Sequence, residues 1–302
     1  MTSTQQSVGH NNHIKNIAIV GASGRIGKQI AKALLAKSSF EITAITQQGS
    51  NSVFFPGIRA VPIDYDDPST IVEALKGQDA LIITLSIFAS KDTQAKLIRA
   101  AADAGVPYIM PNEFGMGNTT EAQLETVGPG KEKDRELIES LGVSSWIGLT
   151  CGFWYEHSLS GPGLYGIDIA KREVVFFDDG LQRLNTSTWA QVGRGVAELL
   201  SLPVLPQDEQ DKSLTLSAYR NHMVYISSFA ISQRDMFASL KRVTGTDDVD
   251  WTISSVPAKQ RFLEAREKLK EGDRSAFGIF LYTRYFFPGE DAGFFEVSRG
   301  LD

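Results

Sequence analysis

The chain is poor in the residues that build cross-linked or metal-held scaffolds. Its one cysteine, Cys151, excludes an internal disulfide and any zinc site made of several cysteines. Its histidines are His10, His13, His157 and His222, and two of them fall in a polar leader, so a multi-histidine metal centre is not expected. There is no basic excess. Thirty lysines and arginines stand against 36 acids, a formal charge of −6, which argues against a general nucleic-acid binder. The longest apolar stretches, such as Ala80 to Phe88, fall far short of the ~20 residues that cross a bilayer. Met1 to His13 lacks the apolar centre of a signal peptide, and residues 1–14 read as a disordered polar tail. The expectation is a reduced, cytoplasmic protein with no membrane or nucleic-acid partner. The sequons at Asn118 and Asn185 then carry little weight.

What is present is an ordinary globular composition, with 42% hydrophobic and 22% charged residues over 302 positions. A chain of this length buries about three quarters of its unfolded surface and needs no staples. From Ile14 short apolar runs alternate with amphipathic stretches. Strands are predicted at Ile17–Val20, Ile42–Ile45, Ala60–Ile63, Ala80–Leu85, Tyr108–Met110 and Ser145–Leu149. Helices are predicted at Arg25–Ala36, Ser69–Leu75, Asp92–Ala104 and Glu132–Leu141. Apolar strands alternating with helices indicate a doubly wound parallel sheet. After Cys151 the rhythm breaks. A strand at Glu173–Phe177, a helix at Thr188–Leu200, a strand-like Met223–Ile226 and helices at Gln233–Val243 and Ala258–Leu269 follow, then an aromatic stretch, Phe277 to Phe287. The reading is α/β: a Rossmann-type sheet over residues 15–156 and a smaller α+β substrate-capping region over 157–302. Some segments of that region are expected to return to the sheet.

The sharpest motif is Gly21-Ala22-Ser23-Gly24-Arg25-Ile26-Gly27. It follows a strand and opens a helix, the context in which a glycine turn holds a dinucleotide pyrophosphate on free N–H groups. At the end of the second strand a site for NAD wants an acid for the ribose hydroxyls. Thr46-Gln47-Gln48-Gly49-Ser50-Asn51 offers none, which favours NADP(H) over NAD(H). It offers no arginine for a 2′-phosphate either. Gln47, Ser50 and Asn51 are the candidate donors, and Arg25 can swing over the ribose. Asp64 and Tyr65 follow the third strand, where an adenine would rest. Leu85 and Ser86 follow the fourth.

Three stretches together resemble the NmrA-like, isoflavone-reductase-like branch of the atypical short-chain dehydrogenases. They are the glycine turn, Ala104-Gly-Val-Pro-Tyr-Ile-Met-Pro111-Asn112-Glu113-Phe114-Gly115, and Lys131-x-x-x-Arg135-x-x-Ile138-Glu139. A weaker likeness to fungal CipA-like oxidoreductases runs through Trp154-Tyr155-Glu156 and Asp178-Asp179-Gly180. The resemblance implies NADP(H) binding and a substrate cleft between a Rossmann domain and a smaller one. It also implies that Lys131, eight residues before Glu139, touches the coenzyme and handles the proton. Pro111 and Asn112 are implied at the coenzyme, although the family has serine where this chain has Asn112. Phe114 is implied beside the nicotinamide. The main-line Tyr-x-x-x-Lys pair is absent, since none of the eight tyrosines has a lysine four residues on. Glycines 128 and 130 place Lys131 in the first turn of a helix. The positive end of that helix disfavours an ammonium there, whereas Glu132 and Asp134 favour it.

Phe153, Trp154, Tyr155 and His157 follow the sixth strand, at the ligand-facing edge, and suit a flat apolar substrate. Cys151 reads as buried and inert. The function this points to is an NADPH-dependent reductase of an aromatic or heterocyclic, alkaloid-like small molecule, in secondary metabolism, acting as a monomer or homodimer. Two alternatives share the fold: an NAD(P)-sensing regulator without turnover, and a non-redox isomerase or cyclase.

Overall fold

A computed structural model of the protein describes residues 12–86, 89–90, 92–116 and 121–300. Most of the polar leader, the end of the Ala80–Phe88 run and the Asn118 sequon lie outside the described residues. In chain order the elements are β1 (Asn16–Val20), α1 (Arg25–Ala36), β2 (Glu41–Gln47), β3 (Ile58–Ile63), α2 (Pro68–Leu75), β4 (Ala80–Ile83), α3 (Thr93–Asp103), β5 (Tyr108–Met110), α4 (Glu121–Thr126), α5 (Gly130–Leu141) and β6 (Ser145–Thr150). Then come β7 (Phe153–Trp154), α6 (Tyr155–Ser160), β8 (Ile167–Asp168), β9 (Glu173–Phe177), β10 (Arg183–Ser187), α7 (Trp189–Leu200), β11 (His222–Tyr225), β12 (Phe229–Ser232), α8 (Gln233–Thr244), β13 (Thr252–Val256), α9 (Ala258–Lys270), α10 (Ala276–Arg284) and α11 (Phe295–Ser298). These divide into two compact units. One takes its residues from 1–113, 133–149 and 192–224, the other from 114–132, 150–191 and 225–302.

The first unit is built on a seven-stranded sheet of order β11-β6-β5-β4-β1-β2-β3. From β3 through β6 every neighbouring pair is parallel. β1 and β4 are apolar along their whole described cores, with Ile17, Ile19, Leu81, Ile82 and Ile83 wholly buried, because helices cover both faces. In α1, Ile26, Ile30 and Leu34 recur at four-residue spacing and make one buried face. In α2, Pro68 stands at the first turn and the Asp67 carboxylate caps it by accepting the Ser69 N–H at 3.1 Å. The strand order reverses between β1 and β4, so the crevice at their carboxyl ends is where such a sheet takes a ligand.

The last three residues of the leader, Asn12 to Ile14, make defined contacts. The Asn12 side chain donates to Leu205 O and accepts the Leu205 N–H, both at 2.8 Å. His13 bridges Pro203, and Ile14 is buried. The Asn12 amide thus satisfies both backbone groups of Leu205.

The second unit holds two three-stranded sheets, β12-β10-β7 and β13-β9-β8. Its core is aromatic. Phe153 stacks on Tyr282 with ring centroids 3.9 Å apart, and Phe262 stacks on Phe280 at 4.7 Å. The Phe277–Phe287 stretch forms α10 and the turn after it, and supplies much of this core. Several buried polar groups are paired. The Tyr165 hydroxyl lies 3.0 Å from Thr186 Oγ1. The wholly buried Gln233 side chain accepts the Phe177 N–H at 2.7 Å and donates to Tyr165 O and Val175 O at 2.8 and 3.0 Å. Among the described residues no helix is long and apolar enough to cross a membrane.

Candidate functional site

The glycine turn leaves β1 and enters α1 at the point of strand reversal. Gly21 has φ +79°, and the Gly24 N–H donates to Gly21 O at 2.8 Å, closing the turn. A Cβ on Gly21 would lie 2.1 Å from Thr84 O. One on Gly27 would lie 2.2 Å from Gly21 O and 2.7 Å from Thr84 Oγ1. No side chain fits at either position, so both must be glycine for α1 to start this close to the neighbouring strand. Thr84 completes the arrangement. Its N–H and its hydroxyl both donate to Val20 O, at 3.0 and 2.8 Å. The sequence reading passed over Thr84. Its signal was a polar residue ending the apolar run Ala80–Ile83.

A cleft of about 210 Å³ opens at this turn. Of the residues expected from the sequence, Gly21, Ala22, Ser23, Gln47, Tyr65, Leu85 and Ser86 line it. Ile45, Thr46, Ser52, Phe54 and Thr84 line it as well and were not anticipated. Gly24, Arg25, Ile26 and Gly27 form the turn and the start of α1, with Ile26 facing the core. Ser50 stands behind Ser52, its hydroxyl donating to Ser52 Oγ at 3.0 Å, and Asn51 is exposed between them. Asp64 does not line the cleft. Its carboxylate accepts the Asp66 N–H at 2.9 Å, a local turn. Tyr65 is half-buried, and that burial raises the pKa of its phenol.

Asn112 supports the cleft wall. Its side-chain amide donates to Leu85 O at 3.1 Å, and its N–H donates to Gln94 Oε1 at 2.9 Å. Pro111 is buried beside it. The next residue, Glu113, is 1% exposed and accepts from Arg135 Nη1 at 2.7 Å. Arg135 lies over the Trp146 ring at 5.3 Å, and the Trp146 indole donates to Glu139 at 2.7 Å. Two of the three stretches that carried the resemblance are thus bonded to each other. On α5, Asp134 accepts a hydrogen bond from Gln94, and burial raises its carboxyl above the usual range.

The expected proton and substrate residues fall in the second unit. Lys131 stands in the first turn of α5, four residues before Arg135 and so on the same helix face. Burial pushes the Cys151 thiol up to about 12, and the Lys131 ammonium pulls it the other way. Phe114 is buried, and the strand bridge Gly115–Thr150 fixes the residue after it. Phe153 is committed to the core stack with Tyr282, so its ring is packing. Trp154 and His157 lie with ring centroids 6.3 Å apart, and Tyr155 meets Phe229 edge-on at 5.3 Å. Among the described residues the buried indole nitrogen of Trp189 meets no hydrogen-bond acceptor, whereas the Trp154 indole lies near enough to Cys151 to favour its thiolate.

A second, more open groove of about 370 Å³ sits at the carboxyl end of α8, lined by Lys241, Arg242 and Asp247. It lies at no strand end, and helix carbonyls point into that region, so it offers nothing comparable.

Sheet order and glycine turn define a Rossmann-type α/β fold. Residues 13–156 match the model of the NmrA-like family, and the chain is similar to oxidoreductases of the isoflavone-reductase-like kind. An oxidoreductase of Aspergillus flavus, aprR, is 28% identical over 275 residues, covering 89% of this chain and 86% of that protein. A solved isoflavone reductase superposes with a TM-score of 0.68 at 21% identity, covering 90% of this chain and 86% of that one. The leucoanthocyanidin reductase of Vitis vinifera, solved with NADPH, gives 0.69 at 17% identity over the same shares. At such identities these two structures establish the fold.

Proposed function

We propose that this protein is an NADPH-dependent reductase of an aromatic or heterocyclic small molecule of secondary metabolism, with Lys131 handling the proton. The observation that carries the reading is the cleft at the β1/β4 reversal, floored by a turn whose two outer glycines admit no side chain. The residues there fit a nicotinamide coenzyme. Backbone at Gly21–Gly24 can approach a pyrophosphate, Phe54 and Tyr65 offer faces for an adenine, and no acid follows β2 to repel a 2′-phosphate. The coenzyme supplies the hydride when bound. Asn112 holds Leu85, and with it the cleft wall, in place.

Lys131 is the candidate acid because an ammonium in the first turn of α5 carries a transferable proton. The pair Glu113–Arg135 fixes α5 one turn further on and so sets where Lys131 stands. The aromatic residues Trp154, Tyr155 and Phe229 support a flat substrate.

The test is NADPH oxidation followed by absorbance with a panel of aromatic carbonyl, alkene and imine acceptors. Substrate-dependent oxidation is expected. Lys131→Ala should lower kcat about 100-fold or more while the coenzyme still binds. Tight coenzyme binding without turnover on any acceptor would favour the sensor, and product formed with no NADPH consumed would favour the isomerase.

A further inference from the structure

In proteins that choose NADP over NAD, an arginine near the end of the second strand commonly accommodates the 2′-phosphate. Here the nine residues from Gln47 to Phe55 contain no charged side chain. They do contain a chain of hydroxyls. Ser23 of the glycine turn donates to Ser52 Oγ at 3.0 Å, and Ser50 donates to the same oxygen at 3.0 Å. The Ser52 N–H also reaches Ser50 Oγ at 3.3 Å. This ties the segment after β2 to the glycine turn at the rim of the cleft, where Ser23 and Ser52 both line it. All three hydroxyls are exposed. They can rotate to donate to an added anion.

Hydroxyls alone do not distinguish a ribose 2′-hydroxyl from a 2′-phosphate. A cation does, because its attraction appears only with the dianion. Lys28 is exposed on α1, with its ammonium 5.5 Å from the centroid of the Phe55 ring. Phe55 belongs to the same segment as Ser50 and Ser52. Arg25 precedes Lys28 by three positions and therefore shares its helix face. The ring attracts the flexible ammonium by a cation–π contact, three residues along the chain from Ser52. The positive charge missing from the segment after β2 is thus available from the first turns of α1.

We propose that Lys28, positioned by Phe55 and assisted by Arg25, binds the 2′-phosphate of NADP(H) together with the hydroxyls of Ser23, Ser50 and Ser52, and that Lys28 sets the preference for NADP(H) over NAD(H). This rests on the reading of the cleft as a nicotinamide-coenzyme site.

The experiment is calorimetric titration of the full chain with 2′,5′-ADP, 5′-AMP, NADPH and NADH. The wild type is expected to bind each phosphate-bearing probe about tenfold or more tightly than its partner. Lys28→Ala should erase most of that difference by weakening 2′,5′-ADP and NADPH about tenfold, with 5′-AMP and NADH unchanged within about twofold. Lys28→Arg keeps the charge and should keep the difference. Ser52→Ala should weaken the phosphate-bearing probes by a smaller factor. The assignment is overturned if Lys28→Ala alters both members of a pair alike, or neither, or if the wild type does not discriminate while still binding NADH. Binding of none of the four probes would instead remove the coenzyme reading itself, and this assignment with it.

Discussion

Arg135 and Glu113 explain at the scale of single residues why two separated stretches of sequence look so characteristic. Each carries a charge into the interior and the two pair at 2.7 Å, with Trp146 roofing the guanidinium. Removing one partner leaves an uncompensated charge in the interior, which costs about 3–5 kcal/mol, whereas replacing both by apolar groups of similar volume is often close to neutral. Glu113→Ala is therefore expected to lower the denaturant midpoint strongly, and the double change Glu113→Leu with Arg135→Met to recover most of the loss. Equal loss in both variants would show that the pair contributes something other than mutual neutralisation. Because Lys131 lies one turn before Arg135, the single variant should also lower turnover.

Among the elements, the helix α8 shows how local chemistry sets a boundary. Ser232 and Asp235 form a reciprocal capping box, and Gly245, with φ +64°, ends the helix in the left-handed region. Losing the Ser232 hydroxyl in Ser232→Ala should cost about 1 kcal/mol, read as a fall in the unfolding midpoint with no change in coenzyme affinity. Elements with such local signals were legible in the sequence. The helix Arg25–Ala36 and the strands Tyr108–Met110 and Glu173–Phe177 lie where periodicity places them. The five short strands β7, β8, β10, β12 and β13 were not foreseen. Two of them have only two residues, and Thr252–Ser255 of β13 is exposed throughout, so no buried alternation marks it. Pairing partners far along the chain, such as β13 with β9, decide these strands, and no local pattern carries that information. The candidate site divides in the same way. The glycine turn was readable from spacing. Thr84 and Lys28 owe their positions to strand order and to an aromatic ring brought alongside, and neither lies in a motif.

For the molecule as a whole, the chain passes between its two compact units at residues 113/114, 132/133, 149/150, 191/192 and 224/225. The first unit takes from its last segment β11, which joins the sheet at β6, and Gly193, where a Cβ would lie 2.5 Å from Gln29 O of α1. A fragment ending at residue 156, where the family match ends, lacks both. It is expected to expose the β6 edge, to unfold without a sharp transition by circular dichroism, and to bind NADPH far more weakly than the full chain. A fragment that melts cooperatively with full affinity would show that residues 192–224 are dispensable. The same crossings bear on engineering. A chimera spliced once at that point between two relatives would draw each compact body partly from one parent and partly from the other. New specificity is better sought by scattered replacements inside the second unit's three segments than by exchanging cassettes.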